Sequence, residues 1–209
     1  MCMYVHTHAL RYARAVDKPS SKDKLLAEGL KLMHRNGYAG TSARAVTGAA
    51  GVAHGSFTQQ FASKQVFGLE VIELYTRYSN KLVADTLENE DLGPLARLRA
   101  YVAGHISMMK RDGNRSGCLY GNMCAESATA GEEIRKVISV RLAEREEAVA
   151  NCLNAAVDAG ELAKSFDVES TATFVIAALQ GALLISRVRY SSGPLEALKT
   201  VLFDRVLVK

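Results

Sequence analysis

Apolar positions along this chain recur every three or four residues, and no stretch alternates with the two-residue period of a half-buried strand. The pattern predicts helices throughout. Ser20-x-x-Asp23 offers a hydroxyl cap and a first-turn acid to a helix with apolar positions Leu25, Leu26, Leu30, Leu32 and Met33, and Asn36-Gly37 ends it. Thr41 or Ser42 caps a short helix to about Ala50, Gly51 makes a tight turn, and a second short helix covers 54–60. Ser63 caps a long helix over 64–87, and Leu92-Gly93-Pro94 breaks the pattern. Further helices are predicted over 95–110, from Cys118 or Leu119 onward, over 132–159, from the Asp167 cap to about Val188, and from Pro194 to near the end. Nine helices and no strand make an all-α protein. Residues 1–19 have no clear period and read as an N-terminal extension, expected to be disordered.

Composition narrows the class. The 209 residues are 48% hydrophobic and 23% charged, with three prolines and no Trp, which excludes collagen-like, disordered and disulfide-scaffold proteins. The net charge of +4 is uninformative until it is divided. Residues 1–68 hold nine Lys/Arg against three Asp/Glu, whereas the remainder is slightly acidic, so a polyanion would meet the N-terminal third. A plain solvated basic face explains the same numbers.

Cys2, Cys118, Cys124 and Cys152 form no metal pattern, and no cofactor or catalytic grouping is readable. The chain is therefore not read as an enzyme. Residues 1–16 lack a continuous apolar core, so no signal peptide is read, and the apolar run 172–185 falls short of a bilayer span. A cytoplasmic protein without a membrane segment is the expectation.

The stretch 41–57 has the spacing of a helix-turn-helix, in which a first helix crosses a second whose N-terminal residues enter the major groove. Val46, Ala50, Val52, Phe57 and Phe61 would hold the two at a fixed angle. An ordinary helical hairpin has the same spacing. Gly37-Tyr38-Ala39-Gly40-Thr41-Ser42, Arg44, Ala50-Gly51-Val52, Gly55-Ser56-Phe57, Phe61 and Ser63-Lys64 together resemble the N-terminal signature of the TetR family of transcriptional regulators, over about 22–72. That resemblance implies a DNA-binding head over 20–66 and a helical ligand-binding and dimerisation domain over 67–209. It implies a homodimeric repressor that leaves a palindromic double-stranded operator when a small-molecule effector binds.

Each head position then has a physical role. Thr41 would cap its helix and donate to a phosphate. Arg44 reaches a guanine edge or a phosphate. His54, Ser56, Thr58 and Gln59 lie on the presumed exposed side of the second helix, with Gln59 suited to adenine and the hydroxyls to base or phosphate. Lys64 brings a cation to a helix start, where it would meet the backbone. Three departures weaken any carry-over of base contacts. Ala53 stands where the family often has a capping hydroxyl, Thr58 where it commonly has Tyr, and Gln59-Gln60 where a His and an aromatic are frequent. A helical ligand-binding protein with weak DNA affinity is the alternative.

In the second half, the helix over 172–188 is apolar nearly all round, with small Ala177, Ala178, Gly181 and Ala182. Paired with the helix over 195–207, it would form half of a four-helix bundle across a two-fold axis, or else an internal core. Tyr101, Met108, Met109, Tyr120 and Met123 are the effector-pocket candidates, since Met and Tyr make adaptable linings, although both also build ordinary cores. His105 reads as a hydrogen-bonded core histidine. Gly117-Cys118-Leu119-Tyr120-Gly121-Asn122, with Glu126 following, resembles a Gly-Cys-Leu-x-Gly-Asn-x-x-x-Glu segment of one TetR subgroup. Cys118 would start a helix after a loop bearing Lys110, Arg111 and Arg115, which favours thiolate and the role of an electrophile or redox sensor. A small residue packing the helix start is the other reading.

Overall fold

The computed structural model describes residues 19–208; the charges of Arg11, Arg14 and Lys18 lie outside the described residues. In chain order the helices are α1 Ser21–Asn36, α2 Ala43–Ala50, α3 Gly55–Gln60, α4 Lys64–Thr86 and α5 Pro94–Arg111. They continue with α6 Leu119–Cys124, α7 Ser127–Ala130, α8 Glu132–Asp158, α9 Val168–Arg189 and α10 Gly193–Val201, which runs into a wider turn, Leu202–Val206. No strand occurs among the described residues. Expected caps hold. The Ser20 and Asp23 side chains and backbones bond reciprocally, Ser63 accepts from the Val66 amide, and Asp167 accepts from that of Ser170. The helix expected to run on from Cys118 instead breaks after Cys124, and a one-turn helix follows.

The chain forms two compact units. Unit 1 comprises residues 19–77 and Cys118–Ile138; unit 2 comprises Tyr78–Gly117 and residues 139–208. Residues 67–77 and the segment with Cys118 and Glu126 thus pack with the head, although both fall in sequence beyond the expected boundary at 66.

Unit 1 is centred on Phe57, Phe61 and Phe67, whose ring centroids lie 5.0–5.3 Å apart, with Leu25, Leu30, Met33, Val46 and Val71 around them. Gly29 on α1 admits this cluster, because a Cβ there would collide with the Phe67 ring. In unit 2, α5 buries Leu98, Val102 and Ile106 at helical spacing, α8 buries Val149, Leu153 and Ala156, and α9 buries Val175, Ile176, Leu179 and Leu183. α10 packs on both α5 and α9. Unlike the 172–185 run read from the sequence, α9 as folded is 22 residues long, with a mean hydropathy of 1.6 over an 18-residue window, enough to cross a bilayer by length and composition. Its side chains divide into a buried face and a second apolar face exposed to solvent, with Phe174, Leu184, Ile185 and Val188 between 37% and 80% accessible.

Candidate nucleic-acid interface

The head is a helix-turn-helix built from α2 and α3. Gly51 ends α2 in the left-handed conformation (φ 63°, ψ 34°), and the Val52 amide donates back to the Thr47 carbonyl at 3.2 Å. Val46, Phe57 and Phe61 are buried beneath the pair; Ala50 and Val52 are only half-buried, so the Phe cluster does most of the fixing. No side chain caps α3, in keeping with Ala53 and its missing hydroxyl. The Ser56 amide instead donates to the Ala53 carbonyl and the Phe57 amide to that of His54, a tightened first turn.

Arg44, His54, Thr58 and Gln59 are exposed and Ser56 is half-exposed. His54 lies near Thr47, with Nδ1 3.4 Å from the Thr hydroxyl, and the Thr58 hydroxyl donates to the Gly55 carbonyl. A Cβ added at Gly48, Gly51 or Gly55 would meet nothing within 4 Å, so this surface can be approached closely. Among the head cations, Lys22 pairs with Glu70 and Lys31 with Glu28, both at 2.7 Å. Part of the basic excess is therefore neutralised internally.

One sequence assignment needs correction, and a second residue has partners the sequence did not show. Thr41 is 2% accessible and does not cap α2; its hydroxyl donates to the Gly37 carbonyl at 2.7 Å, and Ser42 is the cap, accepting from the Ala45 amide. Burial leaves Thr41 no route to a phosphate in this conformation. Lys64 is half-exposed, but its ammonium donates to the Ala39 carbonyl at 3.1 Å and sits 4.6 Å from the Tyr38 ring centroid. With three donors on the ammonium, Lys64 fixes the loop and still has N–H groups for a phosphate.

The loop after α1 holds the residues that sequence reasoning missed. Glu126, just past α6, accepts from the amides of Tyr38 (Oε1, 3.1 Å) and Ala39 (Oε2, 2.6 Å). Gly37 makes room for it: φ is 76°, and a Cβ there would fall on the Glu126 carboxylate. Upstream on α6, the Asn122 amide donates to the His34 carbonyl, and the Tyr120 hydroxyl lies 2.8 Å from that of Thr76. The Gly-Asn-x-x-x-Glu spacing was visible in the sequence; its partners, nearly ninety positions upstream, were not.

Cys118 is the residue before α6, as expected, and is 6% accessible, so it sits as the packed small residue. The Tyr75 hydroxyl donates to its sulfur at 3.4 Å. Burial, then the adjacent Cys118, push the Tyr75 pKa well up, so that hydroxyl stays a donor.

The five effector candidates are divided between the two units. Tyr120 and Met123 are buried in unit 1, Tyr101 and Met109 are buried in unit 2, and Met108 is half-buried. The four buried ones pack in core, the other role open to Met and Tyr. Two clefts in unit 2, of about 370 and 340 Å³, are lined by α8, α9 and Val206, and touch none of the five. His105 is buried but not hydrogen-bonded as expected, since its Nε2 has no partner. Among the described residues no metal-ligand cluster occurs.

Residues 21–71 match the family described as "Bacterial regulatory proteins, tetR family", and residues 94–202 match "Tetracyclin repressor-like, C-terminal domain". The chain is 28% identical over 186 residues to the HTH-type transcriptional repressor DhaR of Mycobacterium sp. strain GP1, covering 89% of this chain and 92% of the relative. It is 30% identical over 183 residues to the transcriptional regulator AcuR of Cereibacter sphaeroides, covering 88% and 84%. The crystal structure of a regulatory protein TetR from Rhodobacter sphaeroides superposes with a TM-score of 0.84 at 30% identity, covering 88% of this chain and 97% of that one.

Proposed function

The chain belongs to the TetR family of bacterial transcriptional regulators, and from that premise we propose that it is a cytoplasmic homodimeric repressor that leaves a palindromic operator when a small-molecule effector binds unit 2. The observation that carries the DNA contact is the exposed row Arg44, His54, Thr58 and Gln59 on a helix-turn-helix with an open approach surface. Gln59 reads adenine and Arg44 guanine or phosphate; Ser56, Thr58 and Lys64 hold the backbone. A second copy covers the apolar face of α9 and places two reading heads about 34–36 Å apart, one helical turn of DNA. α4 carries the signal, as one 23-residue helix with Lys64 in unit 1 and Ser79 in unit 2.

Footprinting on the DNA upstream of the protein's own gene tests this. Two-fold symmetric protection is expected, with affinity falling about a thousandfold or more between 50 and 200 mM salt. Gln59→Ala should relax specificity at one base pair per half-site, whereas Lys64→Ala should weaken binding to all sequences alike. Absence of protection at low salt would instead leave a helical ligand-binding protein.

A second reading is favoured by the placement of Cys118. Its sulfur heads the short helix that carries Asn122 and leads to Glu126, both bonded to the head, so a group added to this packed sulfur would displace the contacts that hold the DNA-reading loop. With iodoacetamide, the sulfur would gain a carbamidomethyl group while iodide and the thiol proton leave. In a background with Cys2→Ser and the exposed Cys124→Ser, alkylation is expected to release the operator, and Cys118→Ser to abolish that response. An unchanged response in the Cys118→Ser protein sinks the sensor reading.

A further inference from the structure

Arg145 on α8 is 7% accessible, and its Nη2 donates to the Ser79 hydroxyl at 2.9 Å and to the Asn80 side-chain oxygen, both on α4. Both acceptors are neutral. Among the described residues Arg145 forms no ion pair, although Glu144, Glu146 and Glu147 are its neighbours in sequence. Withdrawing a guanidinium from water without a counter-charge is unfavourable. Unit 2 nevertheless keeps it.

α5 packs on the same part of α4, where a Cβ at Gly104 would collide with the Leu82 side chain, and the next residue, His105, has a buried Nε2 without a hydrogen-bond partner and a ring edge-on to Tyr101 with centroids 4.8 Å apart. Burial, and then the charge of Arg145, lower its pKa to about 4, so the imidazole is neutral near pH 7 and has one N–H to give. An unbalanced guanidinium and an unsatisfied imidazole therefore occupy the same interior. The rest of α5 around them, Tyr101, Val102, Ile106 and Met109, is buried and largely apolar.

We infer that unit 2 binds a small organic monocarboxylate whose charge pairs with Arg145, whose second oxygen accepts from His105, and whose apolar tail lies along α5. One guanidinium matches one negative charge, and its planar fork suits a carboxylate. The apolar surroundings favour an organic acid over an inorganic anion. The two open clefts lie elsewhere in the unit, so entry requires rearrangement of α5 side chains, and the acid binds a minor open state. Such an acid is the effector class under the regulator reading above, on which its effect on DNA rests; its binding to unit 2 does not depend on that reading.

Calorimetry and thermal unfolding of the full-length protein, with sodium propionate, hexanoate and benzoate at up to about 10 mM, test the site. The corresponding amides serve as controls, and chloride balances ionic strength. At least one acid should raise the Tm with concentration while its amide does not. Arg145→Met should weaken that acid about tenfold or more, read as the acid-dependent rise over the variant's own acid-free Tm. Arg145→Lys, which keeps charge but loses the fork, should bind at an intermediate level. A protein stabilised by none of the acids, equal stabilisation by acid and amide, or wild-type acid affinity in Arg145→Met overturns the inference. Operator binding is measured separately. If it is absent the regulator reading fails, and the calorimetry still decides this one.

Discussion

Replacing Glu126 with alanine should weaken operator binding by about tenfold or more and lower the stability of the head by about 2–3 kcal/mol. The carboxylate accepts from two successive amides, Tyr38 and Ala39, in the loop that leads from α1 into the helix-turn-helix. Removing it leaves those two donors without their charged acceptor, and the half-exposed setting lets water recover part of the loss. Lys64 grips the same loop through the Ala39 carbonyl and the Tyr38 ring. The loop therefore cannot shift without moving Lys64, which we propose meets the DNA backbone. Glu126→Gln keeps one acceptor oxygen and should fall between wild type and alanine. Gly37→Ala should reproduce the alanine defect from the other partner, since its Cβ occupies the carboxylate's position and its φ of 76° strains any L side chain. Hydrogen exchange at Tyr38 and Ala39 together with fluorescence anisotropy on operator DNA would check this. Unaltered exchange at both amides in Glu126→Ala would show that the clamp is not what orders the loop.

The helices were legible in the sequence because their signals are local. Ser20, Ser63, Asp167, Pro94 and Gly51 each act within a turn of their own position, and the structure places helix ends within a residue or two of them. Thr41 and Ser42 share the same capping chemistry, and only burial decides between them; the one that points inward bonds the Gly37 carbonyl. Long-range partnership left no trace. Glu126 stands out in the sequence as the end of the Gly-Asn-x-x-x-Glu spacing, but nothing there points to Tyr38 and Ala39 as its partners. Arg145 sits in the run Glu144-Arg145-Glu146-Glu147, which has the look of a solvated face, yet it is buried. Burial of Tyr101, Met109, Tyr120 and Met123 does not by itself point to a ligand, because a packed core selects the same side chains. The basic front was a weaker guide than its charge count implied, because Lys22 and Lys31 are spent on Glu70 and Glu28 within the head.

Introducing charge on the exposed face of α9, as Ile185→Glu or Leu184→Glu, should convert the protein to a monomer and lower operator affinity by about a hundredfold or more. Phe174, Leu184, Ile185 and Val188 form an apolar strip on one side of α9, and small Ala177 and Gly181 between them allow close approach of another helix. Val201 and Ala197 on α10 carry a comparable exposed strip. Leaving both strips in water forgoes the burial of several large side chains, each worth about 1.5–3 kcal/mol, whereas two copies related by a two-fold axis would cover both. A glutamate at the centre of that contact would stand against its own symmetry mate, adding like-charge repulsion to desolvation. Loss of DNA affinity then follows from geometry rather than from damage to the head. A monomer binds one half-site, and the second head no longer acts at high effective concentration. Light scattering should report half the wild-type mass with helical content retained, and anisotropy should show equal weak binding to a full operator and to a half-site. A dimer of wild-type mass in both variants would place the two-fold contact on another face and leave the α9 strip without a role in DNA binding.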